Sequence, residues 1–119
     1  MKIQGKGAPD PRRDLFGGHG RVDVWNLLRR QAPPFAAVLA CELEAGGRVG
    51  RHVQEHYPEI VVGIEGLGEA VVGKQQHALR PGDVVYLALG ETLELINHSD
   101  DAPLQYLIIK AALPVASDG

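Results

Sequence analysis

Apolar and polar residues alternate along most of this chain in runs too short for helices. Residues 21–28, Arg-Val-Asp-Val-Trp-Asn-Leu-Leu, put Val22 and Val24 on one side and Asp23, Trp25 and Leu27 on the other. That two-residue period predicts a first strand. Residues 35–44 are apolar almost throughout. Their alanines would suit a helix, but the entry from Pro33-Pro34, the shortness of the run and the exit into Gly46-Gly47 predict a second strand. Further strands are predicted over 49–56, 59–65, 69–72, 75–79, 84–89, 92–97 and 104–111. Between them stand Tyr57-Pro58, Gly66 to Gly68, Gly73-Lys74, Arg80-Pro81-Gly82-Asp83, Gly90-Glu91 and a polar loop from Asn97 to Pro103. These are turn residues for known reasons: glycine supplies positive φ, proline fixes φ, and Asn or Asp bonds its own backbone. No window keeps a helical period over three turns. Eight or nine short, closely spaced strands predict an all-β sandwich or barrel.

The ends of the chain break this pattern. Residues 1–20 are rich in glycine and charge, with Leu15-Phe16 as the sizeable apolar anchor. They are expected to be a flexible N-terminal arm that docks, if at all, through that anchor. Residues 21–113 are expected to form a single domain, and 114–119 a tail. A chain of 119 residues has room for one domain with its own core. Aromatic residues are 5% of it, so that core must be built from Val, Leu, Ile and Ala. The net charge of −3 and the lack of a basic stripe exclude a nucleic-acid footprint. Cys41 is the single cysteine, so the fold does not depend on an internal disulfide. No apolar run approaches a membrane span, and the first residues lack the apolar segment of a secretory signal. A cytoplasmic protein with no membrane partner is expected.

Chemistry concentrates in residues 46–66, where His52, His56 and Glu59 crowd together between glycines. Gly46, His52, Gln54, Glu59 and Gly66 follow the spacing G-x5-H-x-H-x(3,4)-E-x6-G, with Gln54 in place of the second histidine. Fifteen residues further on, Gly82, Gly90 and Asn97 fit G-x5-P-x-G-x2-H-x3-N, with Ala88 in place of the proline and Leu93 in place of the histidine. In this order and at this separation the two motifs resemble those of the cupin family. The resemblance covers residues 46–97. It implies a double-stranded β-helix, or jelly-roll, barrel whose ligand set points into the barrel mouth. It also implies a homodimer paired through an edge strand.

The family's metal set is three histidines and a glutamate; carried over, it becomes His52, Gln54, Glu59 and Leu93. Two arrangements for one divalent transition metal (Fe, Mn, Ni or Zn) stay open. In one, Gln54 completes a set with His52 and Glu59. In the other, His56 joins His52 and Glu59 in a two-histidine, one-carboxylate face that suits non-haem iron. In an extended strand His56 shares the face of His52 and Gln54, but Tyr57-Pro58 is expected to swing it outward. Leucine cannot ligate and makes the pocket floor apolar. Competing readings make His52 a barrel-mouth residue bonded to Glu59, Glu59 a structural carboxylate paired with Arg48 or Arg51, Cys41 a buried small hydrophobe, and Trp25 and Tyr106 packing residues. His19, His77 and His98 fall in loops or at strand ends. Three functions follow: a cupin binding a small molecule in a pocket lined by Gln54 and Leu93; a metal-dependent oxygenase or isomerase acting on a small organic acid or sugar; or a metal-free enzyme with His52 as base, oriented by Glu59.

Overall fold

The computed structural model describes residues 2–112, so Leu113 and the expected tail at 114–119 lie outside the described residues. Among the described residues ten strands run in chain order: β1 (Asp10–Arg13), β2 (Arg21–Asn26), β3 (Phe35–Leu43), β4 (Arg48–Val53), β5 (Glu59–Glu65), β6 (Gly68–Val72), β7 (Gln75–Leu79), β8 (Val84–Leu87), β9 (Thr92–Asn97) and β10 (Leu104–Ala111). One 3-10 turn, Leu15–Gly17, lies between β1 and β2. The strands form two antiparallel sheets, ordered β1-β2-β3-β10-β5-β8 and β4-β9-β6-β7. Together they make a jelly-roll barrel. Among the described residues no helix is long and apolar enough to cross a membrane.

The alternation seen in the sequence decides what each strand buries. Leu43, Val61, Leu79, Leu87, Leu93, Leu95 and Leu104 fill the space between the sheets and are almost wholly excluded from solvent. The motif glycines Gly46, Gly66, Gly82 and Gly90 all take positive φ at turns, where a Cβ would be strained. Asn97, the last residue of the second motif, is buried and directs its Nδ2 at the carbonyls of Leu43, Glu44 and Ala102. Its side chain thus ties the loop after β9 to the end of β3.

Some strand ends differ from expectation: β2 stops at Asn26 rather than at residue 28, β8 stops at Leu87 rather than at residue 89, and two further differences shape the domain. The strand expected over 49–56 ends at Val53, because the Gln54 backbone bonds the turn beyond β8: its N–H donates to Glu91 O and its carbonyl accepts from Gly90 N–H. The segment expected to be a flexible arm with a docking anchor also contributes a strand. Asp10 to Arg13 pair with Val24 to Arg21 as an edge strand. Further back, Gly5 lies against the Trp25 ring and Gly7 O accepts from Trp25 Nε1. Trp25 points away from the barrel interior, and this segment is what covers it. Ordering the glycine-rich stretch is offset by backbone pairing and indole burial that its own composition does not reveal.

After β1 the chain crosses to β4. The His19 N–H donates to Arg48 O, and the Arg48 N–H donates to His19 O. Here two glycine backbones meet: a Cβ on Gly18 would lie 1.9 Å from Arg48 O, and one on Gly50 would lie 1.9 Å from Phe16 O. Only residues without a side chain allow the strap and the strand to approach this closely.

Candidate functional site

A cavity of about 520 Å³ opens at one end of the barrel, between the two sheets. One wall is regular sheet from β3, β10 and β5. Register pairs Tyr106 with Cys41, Ile108 with Leu39 and Val61, and Lys110 with Glu59. All of these except Val61 line the cavity. Glu59 is buried, with its Oε2 3.9 Å from Lys110 Nζ, within reach of an ion pair and too far for a hydrogen bond. Deeper in, burial pushes the Cys41 thiol up to about 12, against the opposing pull of the Tyr106 hydroxyl. Burial likewise holds Tyr106 well above its usual range. Both stay neutral.

The facing wall, from β4 and β9, is irregular. Val49 pairs with Leu95 but His52 pairs with Leu93, so Gly50 and Arg51 share one position opposite β9. Val49 and His52 are three apart, and a regular strand would send them to opposite faces. This bulge lets both line the cavity. The bulge also supplies an acceptor: His52 Nδ1 lies 2.8 Å from Gly50 O. A carbonyl can only accept, so Nδ1 carries the proton. The outer face of the imidazole is covered by the Phe16 ring, with centroids 4.0 Å apart and planes 14° from parallel. Beyond β4, Gln54 is buried and also lines the cavity.

The expected residues therefore reach one place, in different states. His52, Gln54, Glu59 and Leu93 all line the cavity. His56 borders it too, but is exposed in the loop after β4, its ring tilted against Tyr57. His52 is bonded to Gly50 rather than to Glu59. Arg48 pairs with Glu94 and Arg51 Nη2 donates to Gly73 O, so the expected partners of Glu59 are engaged elsewhere. The charge facing Glu59 is Lys110, which sequence reasoning missed. Cross-strand register carries that pairing across half the chain, and no local spacing signals it. Phe16 was visible as an anchor, but its contact with His52 was not.

The donor chemistry does not suit a tightly held divalent ion. Among the described residues, no three His, Cys, Asp or Glu side chains gather closely enough to hold one. The buried part of the cavity presents His52, Glu59 and the neutral carboxamide of Gln54, with Leu93 opposite His52, while Glu55 and His56 line it from exposed positions in the loop after β4. The Lys110 ammonium also already places a positive charge beside the carboxylate that an ion would need.

Residues 39–110 match the family model described as "Cupin domain". The chain belongs to the cupin family. No curated protein matches it. Among solved structures, this cupin is similar to a predicted oxalate decarboxylase from Thermotoga maritima, with TM-score 0.83 and 24% identity over 95% of this chain and 100% of that one. It is similar to a cupin-superfamily sugar phosphate isomerase from Silicibacter pomeroyi, with TM-score 0.68 and 23% identity over 93% of this chain and 78% of that one. A Cupin 2 conserved barrel domain protein from Salinispora arenicola matches with TM-score 0.67 and 24% identity, over 92% and 87% of the two chains. At these identities the likeness speaks for the fold.

Proposed function

We propose that this cupin binds a small polar organic molecule in the barrel mouth, held by Glu59, Gln54 and His52 without a divalent metal at the centre. One observation carries the reading. Among the described residues Gln54 Nε2 and Glu59 Oε2 are buried without a hydrogen-bond partner, and both residues line the cavity. An unsatisfied buried polar group costs roughly 1–3 kcal/mol. A ligand that offers an acceptor to Nε2 and a donor to Oε2 recovers that cost, and a hydroxyl group can do both. The volume is that of an ordinary small-molecule site, and aliphatic side chains form most of the remaining surface. The names of two solved relatives mention oxalate and sugar phosphate, which are small, oxygen-rich molecules. A metal-dependent oxygenase or isomerase would require an ion that the donor set does not fit, so no reaction step is assigned.

The test is a thermal-stability panel of hydroxy acids, dicarboxylates, sugars and sugar phosphates, run beside Mn²⁺, Ni²⁺, Zn²⁺ and anaerobic Fe²⁺. A ligand at a hundred times its Kd stabilises by about 2.7 kcal/mol, or several degrees. At least one organic compound is expected to do so, and Glu59→Gln is expected to abolish the shift. The metals are expected to act only on Leu93→His, which adds an imidazole opposite His52. Stabilisation of the wild-type chain by a metal alone, lost in Glu59→Gln, would refute the metal-free reading.

A second copy of the chain is the proposed partner. β8 is the outer strand of the larger sheet, and its Val84 and Tyr86 are each 62% exposed beside Ile60 of β5. An apolar edge that pairs on that side with no other strand among the described residues invites strand or face pairing. Sedimentation is expected to give twice the 12.8 kDa chain mass; a monomer at micromolar concentration removes the proposal.

A further inference from the structure

Phe16 combines features that core packing does not explain. Its backbone is left-handed, φ 54° and ψ 39°, a conformation that residues bearing a Cβ disfavour. Its side chain is mostly exposed, yet the ring borders the cavity and lies flat on His52. The chain around it is tightly held. Leu15, one residue before, packs on the core, Gly18 N–H donates to Leu15 O, and Arg48 Nη2 donates to Gly17 O. Gly50, which receives the Phe16 carbonyl at close quarters, also supplies the carbonyl that binds His52 Nδ1. Strap, bulge and imidazole thus form one unit.

Fixing the proton on Nδ1 has a consequence at the other nitrogen. In a neutral imidazole with Nδ1 protonated, Nε2 carries the lone pair. Rotation of the ring about its last torsion would break the bond to Gly50, and an aromatic plane stacked on the imidazole opposes that rotation.

We propose that Phe16 is a positioning residue of the binding pocket: it keeps His52 in the Nδ1–H form, so that Nε2 serves as a hydrogen-bond acceptor for the ligand. This rests on the small-molecule reading above and narrows it. Two acceptors, His52 Nε2 and Glu59 Oε2, and one donor, Gln54 Nε2, then await the ligand. A polyhydroxylated molecule, such as a sugar or sugar acid, supplies two donors and an acceptor. A simple dicarboxylate anion supplies acceptors alone.

The experiment uses the full chain, labelled with ¹⁵N and free of ligand, and reads imidazole tautomers from two-bond ¹H–¹⁵N correlation spectra, at a pH where the spectra show neutral rings. In the wild type, His52 is expected to be predominantly Nδ1–H. Phe16→Gly suits the left-handed backbone and leaves the strap in place. It is expected to lower the ratio of Nδ1–H to Nε2–H about fivefold, the scale of one lost aromatic contact. Phe16→Tyr is expected to restore the ratio. A wild-type His52 that is predominantly Nε2–H, or a ratio unchanged in Phe16→Gly, overturns the assignment. Because no ligand is present, either result bears on Phe16 and leaves the small-molecule reading standing. In the ligand panel, polyols are expected to stabilise the wild type more than oxalate or malonate does. The reverse order, with Glu59 still required, overturns the donor-rich ligand class while the pocket itself stands.

Discussion

The two walls of the cavity are built on opposite plans. The wall of β3, β10 and β5 keeps unbroken pairing from Cys41–Tyr106 to Glu59–Lys110, and its polar groups face partners across the sheet. The wall of β4 and β9 is broken by a bulge, and its reactive group is oriented by a backbone carbonyl and by a ring from outside the barrel. Regular register buries charge in fixed pairs, whereas a bulge re-aims one side chain and opens space for another segment to hold it. The first wall therefore sets the depth and neutrality of the pocket, and the second sets its directionality.

This contrast can be broken experimentally. The largest effect is expected at Leu43, fully buried on β3 behind the regular wall: Leu43→Ala should cost about 3 kcal/mol by denaturant unfolding, because a packed sheet cannot collapse into the void. A cost under about 1 kcal/mol would mean that this wall is more plastic than its register suggests. Next is Gly50→Ala in the bulge. Its new methyl would meet the Phe16 carbonyl, so the strap must shift at a cost of roughly 1–3 kcal/mol. The Phe16 ring should leave His52, seen as loss of ring-current shift on the imidazole protons. Retention of that shift would detach the strap from the site.

The most gradual effect is on pH dependence and belongs to the regular wall. The Cys41 value is raised from 9.0 to about 12 by burial, so the folded chain holds a proton that the unfolded chain releases. Stability from this thiol is fully present below pH 9 and is lost as pH rises toward 12. One such proton gives a slope of at most about 1.4 kcal/mol per pH unit, and Cys41→Ala should flatten it. Equal slopes for the two proteins would show that the thiol is not shielded in the folded state.

Much of the fold was legible because it rests on local signals. Alternation marked nine strands within a few residues of their bounds, and glycines at fixed spacing marked the bends at Gly46, Gly66, Gly82 and Gly90. The motif spacing also marked His52, Gln54 and Glu59, which line one cavity, although the bulge in β4 and the backbone bonds of Gln54 to Gly90 and Glu91 are what place the first two there. Less of the site's electrostatics was legible. The search for partners of Glu59 among nearby arginines failed because its neighbour is set by register with a strand some fifty residues away.

The sequence by itself determined the all-β barrel, the cupin motifs and the loss of histidines at Gln54 and Leu93. Those follow from composition and spacing, which a linear chain carries openly. Only the tertiary structure decided that β1 and the strap join the domain, that Lys110 faces Glu59, and that a bulge turns His52 inward beneath Phe16. Each of these depends on contacts between distant segments. Their energy exists only once the sheets have closed, so no window of the sequence holds it.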